Sequence, residues 1–444
     1  MQPGTGKVAV VGLGKSGMAS VRFFKKKGYQ VFASDSQANE LVEHELNKLN
    51  VPAEFGGHTE KILESNLIIV SPGVLPDLPI LQKAKEQNIP VWPEIEAAYR
   101  FCPGPIIAVT GTNGKSTVAA LVGHLLNENG IEARVVGNIG TPLLDEMDLM
   151  TDKTWAVMEV SSFQLETIIE FRPKIAVIMM ITQDHLNRHP TLESYIAAKA
   201  KILQNQKSDD LAILNYDDPV TRTLADHVKG KLLWFSMQKI ADGVYYDAGT
   251  IFYQGQPIAK TKDFPLPGRH NLQNLTAAAA VCHAAGLTKI EKGLNNFKSL
   301  PHRLTKVSSV AEVTFYDDSK ATNPDAVASA LKTFKQPVVL IAGGYDKNLD
   351  LTPMIQAARN NVKGFVALGK DTAKITQAFS FLPGRARAAV SDMNEAVKLA
   401  YGMAEPGDVV LLSPGCASFD LFHSAEERGD RFQESVRDLA KQNP

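Results

Sequence analysis

Short apolar runs alternate with amphipathic stretches along most of this chain, and this alternation constrains its fold more than any other feature. Continuous β-favouring runs separated by helix-like segments are typical of parallel sheets covered by helices on both faces. The clearest runs are residues 7–11, 67–70, 106–109, 155–160, 175–181, 211–214, 232–235, 313–316, 338–342, 365–368 and 409–412. The sequence therefore predicts an α/β protein with mainly parallel sheets.

The length and the breaks in this pattern predict several domains. At roughly 150 residues per domain, the 444 residues suggest about three. A proline-containing break ends at Pro93, and a new series of strands begins near Leu300, so the predicted domains span 1–93, 94–299 and 300–444. Between the runs, apolar spacing predicts helices at residues 16–27, 116–129, 192–203 and 274–285.

Charge and cysteine content limit the partners and the compartment. The 47 basic and 48 acidic residues give a net charge of −1, so no global positive field attracts nucleic acid or an anionic membrane. Cys102, Cys282 and Cys416 are far apart and lack the spacing of metal ligands, which predicts reduced thiols. Because a signal-peptide pattern and a membrane-spanning run are both missing, we expect a cytoplasmic protein.

A first glycine-rich loop follows the run at 7–11 and precedes a predicted helix. Residues 12–17, GLGKSG, fit the pattern G-x-G-x-x-G, and Asp35 ends the next predicted strand. Such a loop brings backbone N–H groups at a helix N-terminus close to a diphosphate, and the acid can accept a hydrogen bond from a ribose or a base. The pattern fits NAD and other nucleotides equally, and it also fits a tight turn without a ligand.

A second glycine-rich loop follows the run at 106–109. Residues 110–117, TGTNGKST, end in the G-K-[ST] of a P-loop, although Val109 stands where the strict pattern has glycine. Backbone N–H groups of such a loop surround phosphates, Lys115 can reach the outer phosphates, and the Ser116 hydroxyl can hold Mg²⁺. The sequence therefore predicts an ATP site here.

At this loop the chain resembles the Mur ligase family, whose members use ATP to add amino acids to a UDP-N-acetylmuramoyl precursor of the bacterial cell wall. TGTNGKST matches the family's variant P-loop. The segments 71–73, 137–140, 159–165 and 318–323 resemble the members that add D-glutamate. The resemblance implies a Rossmann-like N-terminal UDP-binding domain, a central P-loop ATPase-like domain and a C-terminal Rossmann-like domain. The implied partners are UDP-N-acetylmuramoyl-L-alanine, D-glutamate and ATP, with the protein a monomer.

The resemblance also implies three sets of binding residues. The ATP set is Gly111, Thr112, Asn113, Gly114, Lys115, Ser116, Thr117, Asn271, Asn274, Arg303 and Asp318. The UDP-sugar set is Gly14, Lys15, Ser16, Asp35, Ser36, Gly73 and Asn138. The amino-acid set is Thr322, Lys347, Ser418 and Phe419. One departure bears on the last set, because Ser424-Ala425 stands where the family often has phenylalanine, which alters the expected shape of the amino-acid pocket.

A metal and catalytic set follows from the same resemblance. Ser116 and Glu159 are implied to hold one Mg²⁺ and His185 a second, while Lys199 reacts with CO2 to form a carbamate that also ligates the metal. Lys115, Lys199 and His185 are thus the implied catalytic residues. His302 and Asp318 are alternative bases for the incoming amine, and the sequence does not choose between them.

Most of these residues also have simpler interpretations. Asp35 and Asp318 could be turn acids, Lys15 and Lys199 solvated lysines, His185 a loop histidine, Asn271 and Asn274 helix caps, and Phe419 a core residue. The predicted activity is an ATP-dependent ligase that forms an amide through an acyl phosphate. The alternatives are a folate-linked ligase, an NAD-dependent oxidoreductase and a nucleotide-sensing module without catalysis.

Overall fold

Three separate sheets make up the computed structural model, which describes residues 6–185, 188–345 and 349–442. The first sheet is wholly parallel, with strand order β3-β2-β1-β4-β5. Its strands are β1 Lys7–Val11, β2 Gln30–Asp35, β3 Ala53–Phe55, β4 Leu67–Val70 and β5 Val91–Pro93. The helices of this part are α1 Lys15–Lys26, α2 Glu40–Lys48, α3 Pro79–Glu86 and α4 Glu94–Phe101.

The second sheet is the largest, with nine strands in the order β14-β13-β12-β11-β10-β9-β6-β8-β7. Its strands are β6 Ile106–Thr110, β7 Ala133–Gly137, β8 Trp155–Glu159, β9 Ile175–Ile178, β10 Leu211–Asn215, β11 Lys231–Ser236, β12 Val244–Asp247, β13 Thr250–Tyr253 and β14 Gln256–Lys260. The helices are α5 Lys115–Glu128, α6 Leu143–Glu146, α7 Ser162–Leu165, α8 Leu192–Ala200, α9 Pro219–Thr223 and α10 Arg269–Ala284. Only β12–β13 and β13–β14 pair antiparallel.

The third sheet has the order β15-β16-β20-β17-β18-β19, with β15 and β16 antiparallel and the other pairs parallel. Its strands are β15 Thr305–Val310, β16 Val313–Asp317, β17 Val338–Ala342, β18 Val362–Leu368, β19 Arg387–Val390 and β20 Val409–Leu412. The helices are α11 Pro324–Leu331, α12 Thr352–Asn361, α13 Ala373–Ala378, α14 Met393–Met403 and α15 Ala425–Gln442. Short 3-10 helices span Glu60–Glu64, Met147–Leu149, Lys201–Leu203, Leu224–His227 and Gly384–Ala386.

The predicted α/β class with mainly parallel sheets is confirmed. Strand β6 is buried along its whole length, and the predicted apolar face of α5 is fully buried against the sheet: Val118, Leu121, Val122, Leu125 and Leu126. Strand β6 lies between β9 and β8, so the carboxyl ends of these three neighbouring strands meet at one edge. Ligands of open parallel sheets bind at such an edge.

The structure corrects some predicted boundaries. The strand predicted at 175–181 ends at Ile178, because the chain then turns across the P-loop through the hydrogen bond from Thr112 N to Met180 O (2.7 Å). The helix predicted from 274 begins at Arg269, with Gly268 as its N-cap. Asn271 and Asn274 therefore lie inside α10, and the interpretation of these two residues as helix caps is wrong.

Candidate active site

The loop between β6 and α5 has the backbone of a phosphate-binding loop. Gly111 and Gly114 adopt φ of +141° and +87°, in the left-handed region that favours glycine. A Cβ on Gly114 would lie 2.5 Å from Asn274 Oδ1, so a side chain there would clash with α10. The loop is tied down by Thr112, whose hydroxyl donates to Thr182 O over 2.9 Å. The N-terminus of α5, which favours anions, starts at Lys115.

A cavity of about 550 Å³ opens in front of this loop and touches all three sheet regions. Pro72 reaches it from the first, and the P-loop from the second. The implied site residues that line it are Thr112, Asn113, Lys115, Ser116, Asn138, Glu159, His185, Lys199, Arg303, Thr322, Ser418 and Phe419. The structure thus brings together the phosphate-binding, metal-binding and amino-acid-binding sets. Lys347 lies outside the described residues.

Glu159 ends strand β8 and is buried in the wall of this cavity. Its Oε1 accepts a hydrogen bond from Asn138 Nδ2 (2.9 Å), whereas its buried Oε2 has no hydrogen-bond partner among the described residues. A buried carboxylate oxygen without a partner is unfavourable unless a cation neutralises it. Because magnesium prefers oxygen ligands, Glu159 fits the implied metal site.

Ser116, the other implied ligand on that side, is the second residue of α5. Its hydroxyl accepts a hydrogen bond from the Arg303 guanidinium over 3.2 Å. Within the described part of the chain, no group of three or more His, Cys, Asp or Glu side chains could hold a metal ion. A metal at Glu159 would therefore need further oxygens, from Ser116, from phosphate or from a modified lysine.

Lys199 is almost fully buried in helix α8, with 1 % of its surface exposed. Its ammonium donates to Gly111 O over 2.7 Å and lies 4.4 Å from the centre of the Tyr195 ring. Burial lowers the pKa of Lys199 well below its usual value, and the charge of Lys115 lowers it further. The solvated-lysine interpretation is therefore wrong, and the side chain is biased toward the neutral amine that can react with CO2.

His185 lines the same cavity and has a left-handed backbone conformation, with φ of +56°. Its ring packs edge-on against Phe163 at 4.9 Å, and its Nε2 lies 3.7 Å from Asp184 Oδ2. A non-glycine residue held in this region of φ costs about 1–3 kcal/mol, and such residues cluster at functional sites. Turn residues such as Ala248 adopt the same region of φ, so the role of His185 as a metal ligand stays a prediction.

A second cavity, of about 110 Å³, continues from the P-loop toward the third sheet. The residues of the ATP set that line it are Asn113, Gly114, Thr117, Asn271, Asn274, Arg303 and Asp318. His270 lines it too, and burial lowers the pKa of His270 to about 4, so this unpredicted residue is a neutral imidazole at pH 7. The lining combines amide side chains such as Asn271 and Gln273 with apolar ones such as Met179 and Leu266, a combination that suits a nucleoside.

Asp318 is buried in this second cavity, so it is not a solvated turn acid. Its Oδ1 accepts from Leu304 N (3.1 Å) and its Oδ2 from Ser413 Oγ (2.9 Å). Burial raises the pKa of Asp318 to about 7, against an opposing effect of Arg303. His302 contacts Asp317 over 2.7 Å and lines neither cavity, and Asp318 does not line the larger one, so the geometry does not choose a base.

The first glycine-rich loop packs tightly on its own strand. A Cβ on Gly17 would lie 1.9 Å from Gly12 O, so helix α1 can approach the strand only with glycine there. Asp35 accepts hydrogen bonds from Leu13 N (2.5 Å) and Gln37 N (2.9 Å), so it shapes the loop. Gly14, Ser16, Asp35, Ser36 and Gly73 do not line the 550 Å³ cavity.

Two contacts place this loop near the central site. The exposed Lys15 donates to Gly140 O of the central region, beside Asn138. Ser71, which precedes Pro72 of the cavity wall, donates to Gly12 O over 2.6 Å. The first loop therefore lies beside residues that flank the larger cavity.

Arg428 of α15 is a site-supporting residue that the sequence did not reveal. It is buried, with its guanidinium donating to Ser319 Oγ and O (3.0 and 2.8 Å), Cys416 O (3.2 Å) and Ala417 O (3.4 Å). These bonds fix the segment before Ser418. Phe419, next along the chain, is 73 % exposed at the cavity, so its interpretation as a core residue is wrong.

Three α/β sheet regions around a P-loop, with a buried acid and a buried lysine beside it, define a nucleotide-binding enzyme. The description "Mur ligase MurD-like, N-terminal domain" matches residues 6–93. "Mur ligase middle domain" matches residues 109–282, and "Mur ligase, glutamate ligase domain" matches residues 302–416. The chain belongs to the Mur ligase family.

Curated relatives are similar over nearly the whole chain. A protein of Koribacter versatilis is 43 % identical over 98 % of both chains, and one of Clostridioides difficile is 38 % identical over 98 % of both. One of Caldanaerobacter subterraneus is 40 % identical over 98 % of this chain and 99 % of its own. All three are named UDP-N-acetylmuramoylalanine--D-glutamate ligase.

Solved structures share the fold at lower identity. The UDP-N-acetylmuramate-alanine ligase MurC of Thermotoga maritima has a TM-score of 0.65 at 21 % identity, covering 98 % of this chain and 100 % of its own. The MurF ligase of the same organism, in complex with ADP, has a TM-score of 0.63 at 16 % identity, covering 93 % of this chain and 96 % of its own. Among the described residues, no helix has the length and apolar character that crossing a bilayer requires.

Proposed function

We propose that this chain is an ATP-dependent ligase that joins D-glutamate to UDP-N-acetylmuramoyl-L-alanine in the synthesis of the cell-wall precursor. The observation that carries this function is the 550 Å³ cavity, where the P-loop faces Thr322, Ser418 and Phe419 across a buried acid and lysine. The near-full-length relatives named for this activity support the choice of amino acid.

Each domain has its own ligand in this proposal. Residues 1–93 bind the UDP group through Gly14, Lys15, Ser16, Asp35, Ser36 and Gly73, with Asn138 of the central domain at the sugar. Residues 94–299 bind ATP through the P-loop, Asn271 and Asn274. Residues 300–444 bind D-glutamate through Thr322, Lys347, Ser418 and Phe419, and they contribute Arg303 and Asp318 to ATP.

The first chemical step is attack of the substrate's L-alanine carboxylate on the γ-phosphate of ATP. Both groups are anionic, and two unit charges 4 Å apart repel by about 4 kcal/mol at an effective dielectric of 20. Lys115 at the start of α5 and Arg303 beside Ser116 place positive charge at the loop that would hold the phosphates. The products of this step are ADP and an acyl phosphate.

Metal binding is proposed at the buried wall of the cavity. Ser116 and Glu159 would hold one Mg²⁺, and His185 with the carbamate of Lys199 a second. Bound magnesium supplies positive charge that offsets the repulsion between carboxylate and phosphate. Carbamate formation would convert the neutral amine of the buried lysine to an anion, which suits a side chain beside the charge of Lys115.

In the second step the amine of D-glutamate attacks the acyl carbon. A C–N bond forms, the C–O bond to phosphate breaks, and the amine loses a proton, which gives the amide and inorganic phosphate. Thr322 and Ser418, with Lys347, hold the two carboxylates of D-glutamate, because hydroxyl and ammonium donors bind carboxylates well. Phe419 lines the same cavity.

The cysteines indicate the cellular setting, and the site indicates how many chains catalysis needs. No disulfide joins Cys102, Cys282 and Cys416 in the described structure, as expected for a reducing compartment, so we place the ATP-consuming reaction in the cytoplasm. One chain supplies all the proposed binding groups, so a monomer suffices for catalysis.

The decisive experiment measures phosphate release from ATP with UDP-N-acetylmuramoyl-L-alanine and a panel of amino acids. We expect release with D-glutamate and little with L-glutamate or L-lysine. Release with L-glutamate alone, or with a folate in place of the UDP precursor, would favour a related ligase. ATP binding without amide formation would leave only a nucleotide-sensing role.

A further inference from the structure

Two asparagines form a mutual contact between the P-loop and the third sheet region. Asn323 Nδ2 donates to Asn113 Oδ1 (3.0 Å), and Asn113 Nδ2 donates to Asn323 Oδ1 (3.3 Å). The residues are 210 positions apart in sequence. Asn323 is only 4 % exposed, and both side chains line the 550 Å³ cavity. A paired carboxamide in this position joins the phosphate-binding loop directly to the amino-acid side of the cavity.

Asn323 also begins helix α11. Its Oδ1 accepts from Ala326 N (2.9 Å), so the side chain that contacts the P-loop is the N-cap of this helix. Thr322, the residue before it, is a proposed contact for D-glutamate. The paired amides therefore connect Asn113 to the start of α11 and to its neighbour Thr322. The Arg303–Ser116 hydrogen bond is a second contact between the same two regions.

We propose that Asn323 is a positioning residue that couples the P-loop to the amino-acid site, which deepens the proposed function and rests on it. Phosphate bound in the loop fixes the backbone at Asn113, whose side chain then holds Asn323 and Thr322 near the γ-phosphate. Linkage is reciprocal, so D-glutamate bound to the third region favours the P-loop conformation that binds ATP.

The test is a double-mutant cycle. Asn323→Ser keeps a good N-cap for α11, but the shorter side chain cannot reach Asn113. Asn113→Ala removes the same pair without touching that cap. Loss of two hydrogen bonds predicts a roughly tenfold rise in the KM for D-glutamate in each variant. The KM for UDP-N-acetylmuramoyl-L-alanine should stay within about twofold, because the first sheet region is untouched.

The double variant should be no worse than either single variant, since the pair is already broken. Asn39→Ser is the matched control: it makes the same substitution at the N-cap of α2, far along the chain from the P-loop, and should leave both KM values unchanged. If Asn323→Ser does not fold, Asn113→Ala alone must still raise the KM for D-glutamate.

Multiplied effects, near a hundredfold in the double variant, would show that the two asparagines act independently and would overturn the proposal. An unchanged KM for D-glutamate in either single variant would do the same. If the wild type forms no amide with D-glutamate, the proposed function fails instead. In that case X-ray scattering of the ATP-bound proteins tests the coupling. The Asn323→Ser variant should then be more extended than the wild type. Equal scattering profiles of the two proteins would overturn the proposal.

Discussion

Asp318→Asn should lower the affinity for ATP and raise the stability of the folded protein, and both effects should depend on pH. The carboxyl is buried in the nucleoside cavity, and its pKa is raised from 3.8 to about 7. Asparagine keeps both existing contacts, because its Oδ1 can accept from Leu304 N and its Nδ2 can donate to Ser413 Oγ. The variant is therefore expected to fold while losing the ability to ionise.

The stability change has a definite sign. Between pH 4 and pH 7 the folded state holds a proton on Asp318 that the unfolded state has released. The stability linked to this group is therefore full below about pH 4 and is lost as pH rises through about 7. A shift of about three pKa units corresponds to about 4 kcal/mol. Asp318→Asn should thus be more stable than the wild type at pH 8, by at most about 4 kcal/mol, and equally stable at pH 4.

The effect on ATP has the opposite sign. If the ionised carboxylate accepts a hydrogen bond from the ribose, wild-type affinity follows the ionised fraction. With a pKa of about 7 this fraction rises about tenfold between pH 6 and pH 8. The ratio of wild-type to variant affinity should rise by the same factor, and this ratio cancels the titration of ATP itself.

Calorimetric ATP binding and urea unfolding of both proteins at several pH values measure the two effects. An affinity ratio that stays constant from pH 6 to pH 8 would refute ionisation of Asp318 as the controlling event. A variant that gains no stability at pH 8 would refute the burial argument.

Three further substitutions test other parts of the site. Lys199→Ala should lose at least about a hundredfold in activity whether CO2 is removed or supplied, and full activity would exclude the carbamate. Asn138→Ala removes the hydrogen-bond donor to Glu159 Oε1 and should weaken the apparent Mg²⁺ affinity, measured during turnover, by about 10–100-fold. If only the KM for the UDP precursor changes, Asn138 contacts the substrate and does not support the metal site. Gly17→Ala places a methyl group against Gly12 O and should destabilise the protein by about 1–3 kcal/mol, with an unchanged melting temperature as the contrary result.

Local sequence patterns predicted the parts of the fold that local forces determine. The strands at 7–11, 67–70, 338–342 and 409–412 have the predicted bounds, because each is a continuous apolar run ended by a polar or turn residue. The P-loop was predictable for the same reason, since its conformation depends on glycines and on the strand and helix beside it.

The β12–β13–β14 meander was missed although it had a signal. Ala248-Gly249 and Gln254-Gly255 form its two turns, and all four residues have positive φ. Two-residue turns of this kind join antiparallel strands and favour glycine at the second position. Short β-favouring runs on either side of each glycine could have identified the hairpins.

Contacts between segments that are far apart in the chain could not be predicted from the sequence. The guanidinium of Arg428 bonds with backbone carbonyls near residues 319 and 416, and Asn113 pairs with Asn323. Nothing local marks these side chains as different from a solvated arginine or a loop amide. The partners of Arg428 are fixed when the third sheet region folds, whereas Asn113 meets Asn323 only when that region packs against the second.

The charged side chains of the 550 Å³ cavity indicate that Mg²⁺ binds together with ATP. Among the described residues that line this cavity, Lys320 is paired with Glu426 and burial favours the neutral form of Lys199. The other two cationic side chains of the described lining are Lys115 and Arg303. Among the described residues no three acidic, histidine or cysteine side chains form a ready metal site, so a metal there needs further oxygen ligands, which the phosphates of ATP can supply. Calorimetry should therefore detect only weak Mg²⁺ binding to the protein without nucleotide. With a non-hydrolysable ATP analogue bound, the protein should bind Mg²⁺ at least about tenfold more tightly, after correction for the affinity of the free analogue for Mg²⁺. Equally tight binding without nucleotide would mean that the protein alone completes the metal site.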